Sequence, residues 1–124
     1  LKGAIELGRL AGLAERVIGL TIVSVGTGLP ELAASAIAAF RGRDDVSVAN
    51  ILGSNLMNTV FITGTVSSFM PLGIEPAVIN YDALWMIGST IGLWFLVMLT
   101  KGKMPRWVGL ICLAVYITYL ATLL

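Results

Sequence analysis

The sequence predicts an all-α, polytopic membrane protein with about four full transmembrane helices and the end of a fifth. Hydrophobic residues make up 57% of the 124 residues and charged residues only 12%, with a mean hydropathy of +0.93. Soluble domains are about 45–50% apolar and about 25% charged. A chain of this size cannot bury such an excess in its own core. It also contains uncharged runs close to the ~20 residues that one crossing of a bilayer requires.

Charge-free runs place the helices along the chain. Four runs of 18 to 25 residues carry no charge or a single charge, and they are residues 17–40, 46–70, 83–100 and 107–124. The single charge is Glu31, in the first run. Residues 1–13 carry three charges and are too short to cross, so they are either the end of a longer helix or an interfacial helix. We expect residues 1–124 to form a single membrane domain.

Composition excludes several classes of function. The chain has no histidine and one cysteine, Cys112. An internal disulfide, a histidine-liganded metal site and Ser-His or Cys-His catalysis are therefore excluded. The formal net charge of +1 gives no basic surface for nucleic acid. We expect no enzyme, no cofactor and no nucleic-acid partner, only the lipid bilayer around the helices.

Basic residues fall unevenly among the predicted loops. Residues 41–45 and 101–106 hold five of the eight Lys and Arg residues, whereas residues 71–82 hold none. By the positive-inside rule the two basic loops are cytoplasmic and the C-terminus lies outside. The sequence therefore predicts a multi-pass protein of the cell membrane with this orientation.

Glu31 is an ionisable residue near the middle of a predicted membrane helix. About ten residues separate it from Arg41, which at about 1.5 Å per residue places it ~15 Å from the boundary of a ~30 Å hydrocarbon core. An ionisable side chain at that depth is costly and indicates a functional site. The alternative is a protonated carboxyl group that pairs within the helix bundle for structure only.

Just before this carboxylate lie a proline that opens a helical turn and a glycine that leaves the helix backbone without side-chain cover. Pro30 has no N–H to donate to the carbonyl of Gly26, and its ring opens that turn. Gly28 removes side-chain cover from the same stretch of backbone. A carbonyl freed in lipid needs another partner, and a cation is one.

Two predicted helices each carry a polar face. On the first helix this face consists of Ser24, Thr27, Gly28, Glu31 and Ser35. On the second it consists of Ser47, Asn50, Ser54, Asn58 and Thr65. Hydroxyl, carbonyl and carboxylate oxygens are the hard ligands that Ca²⁺ prefers, and they suit Na⁺ as well.

The residues of the second polar face are expected at different depths in the membrane. Ser54 and Asn58 are expected at the depth of Glu31, which favours ion binding. Gly53 is expected to let a neighbouring backbone come close. For Asn50 and Asn55, ion binding and hydrogen bonding between helices remain equal alternatives.

Two motifs carry a resemblance to a known family. Residues 26–31, Gly-Thr-Gly-Leu-Pro-Glu, resemble the G-T-S-L-P-E signature of the cation/Ca²⁺ exchanger superfamily, typified by sodium/calcium exchangers. Residues 53–58, Gly-Ser-Asn-x-x-Asn, resemble the G-S-N-x-x-[ND] signature of the same α-repeat. Each motif occurs once, and the order and spacing agree. Because its C-terminus is predicted to lie outside, the chain resembles the C-terminal half of such an exchanger, with the second α-repeat at about residues 15–66.

The resemblance implies a ten-helix inverted-repeat antiporter in which each half supplies one α-repeat to a shared midplane site. It implies Na⁺/Ca²⁺ exchange by alternating access, with half of the ion site in this chain. The implied metal ligands are Glu31, Thr27, Ser54, Asn58 and Ser24. The residues implied to shape the site are Gly26, Gly28, Pro30, Gly53 and Asn55.

Several alternatives remain open on the sequence alone. Gly28 stands where the family usually has a serine that offers a hydroxyl to Na⁺, so an antiporter half coupled to H⁺ or another cation is one alternative. The implied partner is the missing N-terminal half with the first α-repeat, or a second copy of the chain. A non-transporting membrane fragment or scaffold is the third reading.

Overall fold

The structure is a computed structural model that describes all 124 residues. A short N-terminal helix, Lys2–Leu10, precedes four helices that are long and apolar enough to cross a membrane. These are the first span Glu15–Phe40, the second span Asp44–Phe69, the third span Val78–Leu99 and the fourth span Arg106–Leu123. The chain contains no β-strand. The prediction of an all-α, polytopic membrane protein is confirmed.

The third span differs from its prediction at its first residues. The other boundaries lie within two residues of the charge-free runs, but the third span begins at Val78 rather than at residue 83. Asp82 therefore lies inside a helix and not in a loop. Its side chain is buried, and the Tyr119 hydroxyl donates a hydrogen bond of 3.0 Å to its Oδ1 atom. A hydrogen-bonded acid is tolerated where a bare charge would not be, so the charge misled the placement.

Three stretches of π-helix interrupt the α-helical bonding of the spans. They are Gly19–Val23, Met57–Ile62 and Val78–Asp82. Pro30, by contrast, lies inside an α-helix that continues without interruption from Ser24 to Phe40. The altered bonding of the first span thus lies about two turns before the proline. Such π-turns are frequent at functional sites. The segment Met57–Ile62 overlaps the second motif, and Gly19–Val23 ends three residues before the first motif begins.

The N-terminal helix packs antiparallel against the first span. Gly8 is buried, and a Cβ atom there would lie 3.0 Å from Cδ1 of Ile22 and 3.2 Å from Cγ1 of Ile18. At the other end of this contact, a Cβ at Gly26 would lie 2.5 Å from Cδ1 of Leu1. Small residues therefore allow the close approach. The helix lies along a span, unlike an isolated interfacial helix.

Residues Leu1–Leu72 and Gly73–Leu124 form two compact units. In the first unit, the first and second spans form an antiparallel hairpin whose tight turn includes Gly42 at φ +70°. In the second unit, the third and fourth spans pack together, with Val108 fully buried. In both units most large apolar side chains of the spans stay exposed. That surface suits contact with lipid.

Candidate cation site

One carboxylate oxygen of Glu31 is buried and has no hydrogen-bond donor. The residue lies in the middle of the first span and is half-buried, and its Oε2 atom has no partner. An acceptor removed from water without a donor costs free energy. A cation bound at this oxygen would offset that cost. The interpretation of Glu31 as an ion ligand stays a prediction, with this oxygen as its structural support.

Asn50 connects the second span to the backbone of Glu31. Its Nδ2 atom donates a hydrogen bond of 3.2 Å to the carbonyl oxygen of Glu31 and one of 2.9 Å to Oγ of Ser35. Ser35 is only 4% exposed, so these bonds lie inside the interface between the two spans. The sequence left packing and ion binding open for Asn50, and the structure gives its amide nitrogen a contact between helices.

The bonds of Asn50 set the register of the hairpin. Because the two spans are antiparallel, each turn beyond Asn50 in the second span lies beside an earlier turn of the first span. Ser54, one turn beyond Asn50, therefore falls level with the Glu31 side chain. Asn58, one turn further, falls level with residues 24–27. This register brings the predicted ligands of both motifs to adjacent levels of one hairpin.

The two predicted ligands before Glu31 lie on the exposed side of the first span. The Thr27 hydroxyl donates to the carbonyl of Val23 at 2.8 Å and lies 3.3 Å from the carbonyl of Ser24. A hydroxyl that donates in this way keeps lone pairs that can face a cation. Both Ser24 and Thr27 are exposed in the chain. Their surroundings within this chain therefore leave room for groups from another polypeptide.

The predicted ligands Ser54 and Asn58 and the predicted shaping residue Asn55 differ in exposure on the second span. Ser54 is half-buried, whereas Asn55 and Asn58 are exposed. The main-chain carbonyl of Asn58 accepts a hydrogen bond of 3.1 Å from the Thr63 hydroxyl, and that of Asn55 accepts one of 2.6 Å from Thr59. Both bonds involve main-chain carbonyls, of which only that of Asn58 lies in the π segment, and neither involves a side-chain amide.

The glycines that are predicted to shape the ion site differ in their contacts within the chain. Gly26 is contacted by the side chain of Leu1, as described above. At Gly28 and Gly53 an added Cβ would meet no atom within 4 Å. The close approach of a neighbouring backbone that the sequence predicts at Gly53 is not made by this chain, and it stays a prediction. A close approach at these two positions would have to come from outside the chain.

The candidate site contains one carboxylate. No group of three or more His, Cys, Asp or Glu side chains gathers anywhere in the chain. Glu31 is the single acid within the two motifs. The buried Asp82 belongs to the other compact unit and bonds Tyr119 there. A divalent cation would thus meet one negative charge from this chain.

An apolar groove of about 610 Å³ lies between the third and fourth spans. Gly88 and Gly92 line it from one span, and Ile111 and Val115 from the other. No charged side chain lines it. The groove is therefore not part of the candidate cation site.

Sequence reasoning missed the link between Asn50 and Ser35. Both residues lie on the predicted polar faces, and a short loop joins the two helices. An amide facing a hydroxyl across such a hairpin is the signal that could have indicated the bond. Their distance in sequence, 15 residues, placed the pair outside any local motif.

Comparison with known proteins identifies the family of this chain. A family model described as sodium/calcium exchanger protein matches residues 1–124. The chain belongs to the sodium/calcium exchanger protein family. Together with the four spans, this membership makes it a multi-pass membrane protein of that family.

Relatives in this family match nearly the whole chain. CaxA of Alkalimonas amylolytica is 38% identical over 104 residues, which are 84% of this chain and 32% of CaxA. Sodium/calcium exchanger MaX1 of Methanosarcina acetivorans is 33% identical over 121 residues, or 97% of this chain and 34% of MaX1. Sodium/potassium/calcium exchanger 5 of Homo sapiens is 28% identical over 123 residues, or 94% of this chain and 24% of that protein.

The chain spans about a third of the length of CaxA and MaX1. No solved structure shows a significant match to it.

Proposed function

We propose that this chain supplies half of the ion-binding site of an antiporter that exchanges Na⁺ for Ca²⁺ by alternating access. The buried, unpartnered Oε2 of Glu31 carries the proposal. The hairpin register sets hydroxyl and amide groups of Thr27, Ser54 and Asn58 at neighbouring levels. Membership of the sodium/calcium exchanger family supports the choice of ions.

Competition for the Glu31 carboxylate would produce exchange. Na⁺ and Ca²⁺ are hard cations that both take oxygen ligands. If each neutralises the same carboxylate, occupancy by one excludes the other. A site that alternately faces the two sides of the membrane would then carry Na⁺ one way and Ca²⁺ the other.

The charge balance supports the role of a half site. Glu31 supplies one negative charge against the two of Ca²⁺, and it is the single acid within the two motifs. The second carboxylate is proposed to come from a missing N-terminal half with the first α-repeat. A second copy of this chain could supply it only in the opposite orientation. The uneven distribution of basic residues argues against that arrangement.

The same distribution supports an orientation in the membrane. We place the basic loops 41–45 and 101–106 in the cytoplasm and the C-terminus outside. Single cysteines introduced at Gly42 and Glu75, in a variant with Cys112 replaced, would be labelled from opposite sides by an impermeant thiol reagent. Labelling of both from one side would reject the orientation.

The test of the function is ⁴⁵Ca²⁺ uptake into membrane vesicles driven by an outward Na⁺ gradient. The vesicles contain the native assembly, meaning this chain with whatever polypeptide completes it in its own membrane. We expect Glu31→Gln to abolish uptake, because it removes the charge and keeps the shape. Glu75→Gln is the matched control, since Glu75 is exposed between two spans, and it should retain uptake.

Two outcomes would replace the proposal. Uptake driven by a pH gradient and indifferent to Na⁺ would indicate a proton-coupled antiporter half. Full uptake by Glu31→Gln would show that Glu31 is no ion ligand, and a scaffold role would then account for the polar faces.

A further inference from the structure

Asn50 uses both hydrogens of its amide nitrogen in the interface between the first two spans. They go to the carbonyl oxygen of Glu31 and to Oγ of Ser35. We infer that Asn50 is a positioning residue, which holds the backbone of Glu31 so that its carboxylate stays at the ion site. The inference rests on the proposed function and adds a residue whose role is indirect.

The orientation of the Asn50 amide follows from its acceptor. A carbonyl oxygen can only accept a hydrogen bond, so the end of the amide that faces Glu31 must be the NH₂ group. In a regular α-helix the same carbonyl already accepts from the N–H four residues on. The bond from Asn50 therefore engages the second lone pair of that oxygen, and it crosses from one span to the other.

Anchoring this carbonyl constrains the carboxylate of the same residue. A helix that turned about its axis or slid along its neighbour would break the bond to Asn50. The second bond, to the nearly buried Ser35, lies one turn further along the same helix and resists the same movements. Two bonds one turn apart hold the face that carries Glu31 toward the second span.

The nitrogen of Asn50 cannot itself be a cation ligand. It presents hydrogens, which repel a cation, and both are already donated. A residue that orients a ligand without touching the ion typically costs about 10- to 100-fold in metal affinity when it is removed. Its loss should therefore raise the Ca²⁺ concentration for half-maximal uptake, with much less change in the maximal rate at saturating Ca²⁺.

The experiment measures the Ca²⁺ dependence of Na⁺-driven uptake by the native assembly. We expect Asn50→Ala to raise the half-saturating Ca²⁺ concentration about 10- to 100-fold. Ser35→Ala, which keeps the bond to Glu31, should give a smaller increase. Asn80→Ala is the matched control, because Asn80 is exposed on the third span, and it should leave the value unchanged.

Asn50→Asp separates positioning from direct coordination. It places an oxygen against the Glu31 carbonyl and removes the donor, so at alkaline pH a positioning role predicts a loss of Ca²⁺ affinity. A direct ligand would bind Ca²⁺ more tightly with the added charge, and that result would overturn the inference.

Glu31→Gln, measured beside these variants, distinguishes the two proposals. If Glu31→Gln abolishes uptake while Asn50→Ala has wild-type affinity, the positioning role fails and the proposed function stands. If Glu31→Gln transports normally, the proposed function itself fails. If Asn50→Ala does not give a monodisperse protein in detergent, the Ca²⁺ affinity of Ser35→Ala is the test. A wild-type Ca²⁺ affinity in Ser35→Ala would then overturn the inference.

Discussion

Glu31 has a hydrogen-bond partner for its backbone carbonyl but none for one oxygen of its side chain. Its carbonyl is held by Asn50, whereas the Oε2 atom has no donor. An acid within a membrane span normally pairs with another group. The backbone of Glu31 is held in place while one carboxylate oxygen has no hydrogen-bond donor. Such a residue is suited to bind a transported ion reversibly.

A substitution at Gly28 tests whether a hydroxyl at this position would bind Na⁺. Gly28→Ser adds a hydroxyl at the position where the family signature has serine, and its Cβ would meet no atom within 4 Å. We expect the Na⁺ concentration for half-maximal exchange to fall roughly fivefold, as one added hydrogen-bonding group contributes about 1 kcal/mol. The measurement is the Na⁺ dependence of ⁴⁵Ca²⁺ uptake.

The matched control for that change is Gly88→Ser. Gly88 is an equally open glycine on the third span, away from the motifs. An unchanged Na⁺ dependence in Gly28→Ser, or an equal shift in both variants, would contradict a sodium ligand at this position.

Among the elements, the hairpin of the first two spans carries the candidate site. Much of the structure of this hairpin could be predicted from the sequence. Charge-free runs gave its helices, because a charge in lipid is costly enough to mark helix ends. The depth of Glu31 followed from helix geometry. The bond between Asn50 and Glu31 could not be predicted, since neither helix alone shows which side chain of its neighbour it meets.

The third span shows where the same reasoning failed. Asp82 was read as a loop residue because it is charged, but it is buried inside the helix. Its partner Tyr119 lies 37 residues later in the chain. A local pattern cannot reveal that compensation, so the sequence predicts a start of this helix five residues too late.

The contact between Asp82 and Tyr119 should stabilise the second compact unit. Tyr119→Phe removes the hydroxyl that donates to the buried carboxylate, while the ring contact with Trp85, at a centroid distance of 5.7 Å, can remain. We expect the free energy of unfolding to fall by about 1–2 kcal/mol, since a hydrogen bond to a buried carboxylate is lost. Denaturant unfolding of the purified chain in detergent measures this change.

Tyr116→Phe provides the comparison on the same helix. Tyr116 is 40% exposed, so loss of its hydroxyl should change the free energy of unfolding little. Equal effects of the two substitutions would show that the bond to Asp82 contributes nothing.

At the scale of the whole molecule, the chain has the composition of a membrane protein, and we propose that it holds half of an ion site. Composition predicted the first property directly, because 57% hydrophobic residues cannot be buried in 124 residues. The second rests on a count of charges, with one carboxylate in the motifs and no acidic cluster. Completion of the site by residues outside this sequence stays a proposal, and the sequence spans about a third of the length of CaxA and MaX1.

The central claim is that this chain holds half of a cation site. Its most direct test is ⁴⁵Ca²⁺ uptake, driven by an outward Na⁺ gradient, into proteoliposomes that contain the purified chain as a monomer. Proteoliposomes with the native assembly serve as the positive control. We expect uptake by the native assembly and none by the monomeric chain. The one carboxylate within its two motifs cannot balance the charge of Ca²⁺. Sodium-dependent Ca²⁺ uptake by the monomeric chain alone would contradict it.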